Sequence, residues 1–421
     1  MKLDVLKDRS NLFLFVLGVI SSTALLPELD IPYLKVDLFN LTAPMAGLFL
    51  IAYNYKTIKN SVSIYKKEFV LIFLFLLVLF LSSISSYDSR IAIKHYVKYF
   101  EVIIVFFGIV FYIESDEDVK AIFRFYLSSV IFLALVAILI YIFPNFFKNI
   151  LFVHKIGLQF LPRNESLMSN PNVYGVFSAV ICITSLTLLK EKFISKNFAI
   201  LSLIASVFGI LAAGSLNGFF TIMVCLCLFL YISQLSIINK IILITGSCAA
   251  VILLLLTILF FIRGQLDNRI NIQGAYNSIF HGSLTPRLEL WKGVIKSLND
   301  TPFLGTGPSV YNHYFNKYTK LTGQDEKNII GAYNSHNLFL QILAESGIIG
   351  FAIFLSIFIL IFRLFKKRKY YIAIPFLALL FGQLFDCIVY DYFFLVFFIS
   401  LLAIAIYENR KCDENAQIKS T

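Results

Sequence analysis

The chain is 421 residues long, 59% apolar and only 14% charged, with a mean hydropathy of +0.82. That balance excludes an ordinary soluble globular domain. The net charge of +11 does not point to nucleic acid, because most Lys and Arg sit in short segments between apolar runs, where membrane loops concentrate them.

A spanning helix needs about 20 apolar residues, and such runs recur along nearly the whole chain. They are continuous rather than alternating, so the sequence predicts an all-α, polytopic helical bundle and not a barrel. Taken in order, the expected spans are 11–27, 36–54, 68–87, 97–114, 122–143 and 172–190, then 197–214, 217–234, 238–262, 337–364, 370–388 and 390–407, about twelve in all. The first lacks a small-residue cleavage site and is read as a retained span. The second is the weakest, with Asp37 and Asn40 near its start. Six scattered cysteines form no C-x-x-C pair, which indicates neither a zinc site nor a disulfide framework.

Basic residues fill alternate loops. Lys56, Lys59, Lys66 and Lys67 lie in one, Lys190, Lys192 and Lys196 in another, and Arg363 with Lys366 to Lys369 in a third. All fall on the side of both termini, which is therefore expected to be cytoplasmic. The segment with Arg90, Lys94 and Lys98 is basic yet on the far side, and its charge either serves substrate binding or is merely tolerated. Ser115-Asp116-Glu117-Asp118 reads as a solvated turn and helix start rather than a metal cluster.

Two far-side loops stand out. One, about 144–171, carries Arg163 and then Asn170-Pro171-Asn172 at the next span. Asn170 or Asn172 reads as a helix cap, while the sharper reading sets Arg163 beside a far-side cavity as a phosphate clamp. The other loop, about 263–336, far exceeds the usual connection. Within it Leu288, Leu290, Trp291, Val294 and Ile295 share the apolar side of a short amphipathic helix over 288–298, expected to lie against the bundle mouth. The expected organisation is thus 1–262 with about nine helices, a 263–336 far-side loop, and 337–421 with the last helices and a cytoplasmic tail.

Arg287 follows Pro286 at the start of that helix. A guanidinium beside a helix N-terminus makes an anion site; the bland alternative is an arginine reaching to lipid headgroups. His336 and Asn337 stand where the long loop enters the tenth span. The imidazole can accept a proton from a sugar hydroxyl or orient one, and Asn337 either caps the helix or touches substrate. Glu345, inside the apolar run, is costly at that depth and reads as functional, or as a partner of Gln341 one turn earlier. Nucleotide-binding, zinc-protease and hydrolase-elbow motifs are missing from the sequence.

The segments Arg287 to Trp291, Pro302 to Gly307, His336 to Gly347 and Arg163 to Asn172 together resemble the O-antigen ligase and polymerase superfamily of bacterial envelope glycosyltransferases. The resemblance implies a GT-C-like membrane fold and transfer of glycan from undecaprenyl pyrophosphate at the periplasmic face of the inner membrane. Arg163 and Arg287 would hold the pyrophosphate, His336 would orient or deprotonate the acceptor hydroxyl, and Asn337, Asn170, Asn172 and Glu345 would support them. Inverting transfer with no metal and no cofactor is the family expectation, chemically coherent because fixed guanidiniums stabilise a diphosphate leaving group. The acceptor is a lipid-linked repeat unit for a polymerase, slightly favoured, or lipid A–core for a ligase. A lipid-linked oligosaccharide transporter is a more distant alternative, disfavoured by informative residues gathered at one face rather than the midplane. Family members often carry Ser-Arg between the seventh and eighth spans, where this chain reads Gly214-Ser215-Leu216-Asn217.

Overall fold

Apolar runs that must cross a bilayer bury their backbone polar groups by closing helical hydrogen bonds, and the chain does so at nearly every expected position. The computed structural model describes residues 16–18, 29–31, 34–36, 38–53, 66–143, 166–168, 170–232, 285–319, 334–367, 369–388 and 391–420. Apart from a two-stranded antiparallel hairpin, Leu29–Ile31 with Leu34–Val36, the elements are helical. They are α1 Leu38–Tyr53, α2 Lys66–Ser85, α3 Ser89–Tyr112, α4 Asp116–Ile142, α5 Pro171–Lys190, α6 Lys196–Ala213 and α7 Leu216–Ile232. After the long loop come α8 Thr285–Ser297, the short α9 Val310–Tyr314, α10 Leu338–Lys366, α11 Tyr370–Gly382 and α12 Tyr392–Ser420.

Six of these helices contain stretches long and apolar enough to cross a membrane, and four shorter apolar helices accompany them. The chain is a multi-pass membrane protein. Of the expected first span only 16–18 is described, and 238–262 lies outside the described residues.

Helix starts follow their capping chemistry. Ser115 and Asp118 form a reciprocal capping box at α4, so the acidic cluster is a helix start as expected. Asn170 caps α5, with Pro171 in the first turn. α5 and α12 are each buried over 83% of their most apolar window, which makes them the central helices. Between them Tyr126 of α4 meets Phe397 with ring centroids 4.5 Å apart, and Phe177 meets Phe393 at 5.2 Å.

Three expectations are corrected. α3 begins at Ser89 rather than 97, because the Asp88 side chain accepts from the Ile91 N–H and starts the helix. Arg90, Lys94 and Lys98 therefore lie on a helix and not in a loop. The expected span 370–388 ends at Gly382, since the carbonyls of Gln383 and Leu384 turn away to receive the Leu338 N–H and the Asn337 side chain. The amphipathic helix α8 starts at Thr285 and buries Pro286, Leu290, Val294 and Ser297, leaving Leu288 and Ile295 exposed. Its inner face packs on α10 one position away from the apolar side read from the sequence.

α10 is broken. Gly347 sits at φ 61°, ψ −168°, a conformation essentially reserved for glycine, and a broken helix strands backbone groups at membrane depth. The Pro302–Gly307 turn receives them. Thr306 and Gly307 N–H donate to the carbonyls of Ala344 and Glu345, and Ile348 and Ile349 N–H donate to those of Pro302 and Phe303.

Candidate functional site

Four segments meet at one end of the bundle: the start of α5, the turn before α10, the α11–α12 loop and the start of α8. Their common point is Asp386, 7% exposed. Its Oδ1 lies 3.0 Å from His336 Nδ1 and accepts the Cys387 N–H at 2.9 Å, while Oδ2 accepts Asn172 Nδ2 at 3.1 Å. Burial pushes the Asp386 carboxyl upward, but the His336 hydrogen bond, the charges of His336 and Arg287 and the Asn172 amide outweigh it, holding the carboxyl below its ordinary value. An ionised carboxylate only accepts, so Nδ1 carries the shared hydrogen, and whenever the ring is neutral Nε2 presents the lone pair. Nε2 has no protein partner among the described residues, and the imidazole keeps 22% of its side-chain surface.

The turn that presents His336 is strained and pinned. His336 has φ 49°, rare for a side-chain-bearing residue and commonest where structure over-determines the backbone. The determinants are identifiable. Its N–H donates to Asn334 Oδ1 at 2.9 Å, the Trp291 indole donates to the Ser335 carbonyl at 2.9 Å, and Ser335 Oγ donates to the Asn337 carbonyl at 2.8 Å. Asn337 accepts the Leu340 N–H at 3.1 Å and so caps α10. Trp291, four residues after Arg287 on α8, thus ties the helix bearing the guanidinium to the histidine turn.

Glu345 is fully buried, and its carboxylate accepts from Tyr99 Oη at 2.6 Å, Gln341 Nε2 at 2.7 Å and the Ser309 N–H at 3.0 Å. It fastens the 302–309 loop and α3 to α10, and the Gln341 pairing read from the sequence is present.

Of the expected site residues, His336, Asn172 and Arg287 gather around Asp386. Asn170 and Asn337 act as caps, Glu345 is a packing junction, and Arg163 lies outside the described residues. In the turn between α6 and α7, Ser215 donates to Asn172 Oδ1 at 3.1 Å, so this turn orients the amide that holds Asp386. Asp386 itself was missed by sequence reasoning, although a carboxylate inside an apolar run is a signal in its own right. Its neighbour Cys387 is buried, which pushes the thiol well up and removes it as a nucleophile.

The fold and this polar cluster define a multi-pass membrane protein with an imidazole–carboxylate site at one end of its bundle. Residues 201–355 match the family model described as O-antigen ligase, a segment running from α6 through α8 and His336 into α10. The similarity to that family rests on this segment, which covers less than half of the chain. No curated protein matches the chain. Asn172 and Asp386 stand outside the matched segment, so the site draws on both of its flanks.

Proposed function

We propose that the chain is an inverting glycosyltransferase that moves a glycan from undecaprenyl pyrophosphate to a sugar hydroxyl at the periplasmic face of the bacterial inner membrane. In this reading it has about twelve spans in a GT-C-like bundle, both termini in the cytoplasm, and 263–336 as the periplasmic loop between two membrane domains. The observation that carries it is the His336–Asp386 pair beside Arg287. His336 Nε2 accepts the proton of the acceptor hydroxyl, whose oxygen attacks the anomeric carbon of the donor sugar. The bond from that carbon to the pyrophosphate oxygen breaks, and the departing diphosphate takes its electron pair. Arg287, with Arg163 as a second clamp, stabilises the charge that develops there. Asp386 keeps the imidazole in the accepting tautomer and stabilises its protonated form.

The acceptor in the favoured reading is another lipid-linked repeat unit, which makes the protein a polymerase. The description of the matching family favours the alternative, ligation onto lipid A–core. Gel profiling of envelope polysaccharide in a deletion strain separates them. Lipid A–core bearing a single repeat identifies the polymerase; loss of polymer from lipid A–core with lipid-linked polymer accumulating identifies the ligase. A wild-type ladder restored by both His336→Ala and Arg287→Ala would rule out the catalytic assignment.

A further inference from the structure

Next to the histidine turn, but not lined by His336, Asp386 or Arg287, is a cavity of about 280 Å³. Its polar end is formed by His95, Lys98, Ser309, Asn312 and Asn334, and Asn334 is the residue that holds the His336 N–H. Its other end is apolar and shares Tyr99, Val102, Leu338, Ile342 and Leu395 with a second cavity of about 140 Å³. The remaining walls of that second cavity, such as Phe75, Phe106 and Phe354, offer no polar group. The two make one groove between α2, α3, α10 and α12, cationic at the end by His336 and wholly apolar at the other.

Lys98 is the unusual member. It sits within an apolar spanning helix, where an ammonium is costly and usually functional. Among the described residues its polar partner is the neutral Tyr392 hydroxyl at 2.9 Å, with the Tyr392 ring centroid 5.7 Å away. Among the described residues no carboxylate pairs with it. A half-buried cation with only a phenol beside it, at the head of an apolar groove, matches one ligand chemistry: a phosphate on a long apolar chain.

We propose that this groove holds a second anionic amphiphile, the acceptor, so that the protein binds two phosphorylated lipids at once, with the dyad between their head groups. The proposal rests on the transferase reading above, in which Arg287 serves the donor. The apolar end continues from the cationic one with no further polar wall, as a phosphate on a single long chain requires. In this proposal the acceptor is a polyprenyl-linked glycan, which favours chain extension over ligation.

The test is native mass spectrometry of the full-length protein in detergent with undecaprenyl pyrophosphate. Wild type and Lys98→Arg are expected to bind two molecules. Lys98→Met and the groove-filling Val102→Trp are expected to bind one, Arg287→Met one, and Lys98→Met with Arg287→Met none. Two molecules retained by Lys98→Met, or a single wild-type molecule lost with Arg287→Met, would overturn the second site and leave the transferase reading standing. No binding by wild type would overturn both. Displacement of the Lys98-dependent molecule by lipid A–core at equal concentration would overturn the single-chain assignment, and displacement by phosphatidylglycerol would make the groove a general lipid contact.

Discussion

The two ends of the bundle use the same kinds of charged side chain to opposite effect. At the start of α11 and the far part of α12, Lys369 Nζ lies 2.8 Å from Glu408 Oε2, Tyr371 donates to the same carboxylate, and Lys411 Nζ lies 2.6 Å from Asp116. Each of these lysines stands within ion-pair distance of a carboxylate. At the end of α11 and the start of α12, His336 and Asp386 also pair, yet Nε2 is left without a protein partner and Arg287 makes no hydrogen bond to protein among the described residues. Among the described residues the hydrogen-bond partner of Lys98 is a phenol. A network of paired opposite charges holds helices together; cations left without a carboxylate are equipped to hold something else.

The comparison is broken most directly at the dyad. His336→Ala and Asp386→Asn are each expected to lower turnover by about 10²–10⁴-fold, the usual contribution of a positioned base. The assay is transfer from lipid-linked donor by purified protein, with thermal unfolding to show that the fold persists. Arg287→Met comes next, with a loss of about 10²–10³-fold in turnover, comparable to removing one fixed charge-stabilising donor. If turnover survived either change, the His336 end would be structural like the other.

Stability effects follow. Gly347→Ala forces a side chain into a left-handed conformation, where strain alone is about 1–3 kcal/mol, and its Cβ would stand 2.4 Å from the Phe303 backbone. Thermal unfolding should show a clear fall. Acidification sharpens the dyad: the folded Asp386 carboxyl titrates below its ordinary value. Its pairing thus contributes stability above the unfolded value and loses it as pH falls through the folded one. The stability gap between wild type and Asp386→Asn, followed by thermal unfolding across pH, should narrow toward acid. The smallest effect belongs to Lys411→Met. Both partners there are well exposed, so about 1 kcal/mol or less is expected, with turnover unchanged.

Much of this is legible in the sequence. Asn170, Ser115 and Pro286 mark their helix starts because capping and first-turn chemistry is local, and the apolar runs locate the described spans while missing some of their ends, such as the start of α3 and the end of α11. The start of α3 was misplaced although its Asp88 cap is local; the other failures are of one kind. Asp386 was hidden inside a hydropathic run because a window average conceals one carboxylate, and the helix actually stops short of it for a tertiary reason, the donors of α10 claiming the carbonyls of 383 and 384. The inner face of α8 was displaced for a similar reason: Trp291 is drawn to the Ser335 carbonyl, a partner far along the chain. Local rules placed the elements, while the pairing of His336 with Asp386 depends on contacts across the chain that no spacing encodes.

The junction between the 302–307 turn and α10 has a practical consequence. A Cβ on Gly305 would come within 2.5 Å of the Ala344 carbonyl, just as one on Gly347 would strike Phe303, and in both cases the obstacle is main chain. No repacking of side chains relieves such a clash, so a change on either side has to be answered on the other. The loop and the helix break are therefore one transplantable part. In a chimera that exchanges the 302–307 turn between two such chains, the crossover belongs beyond Gly347.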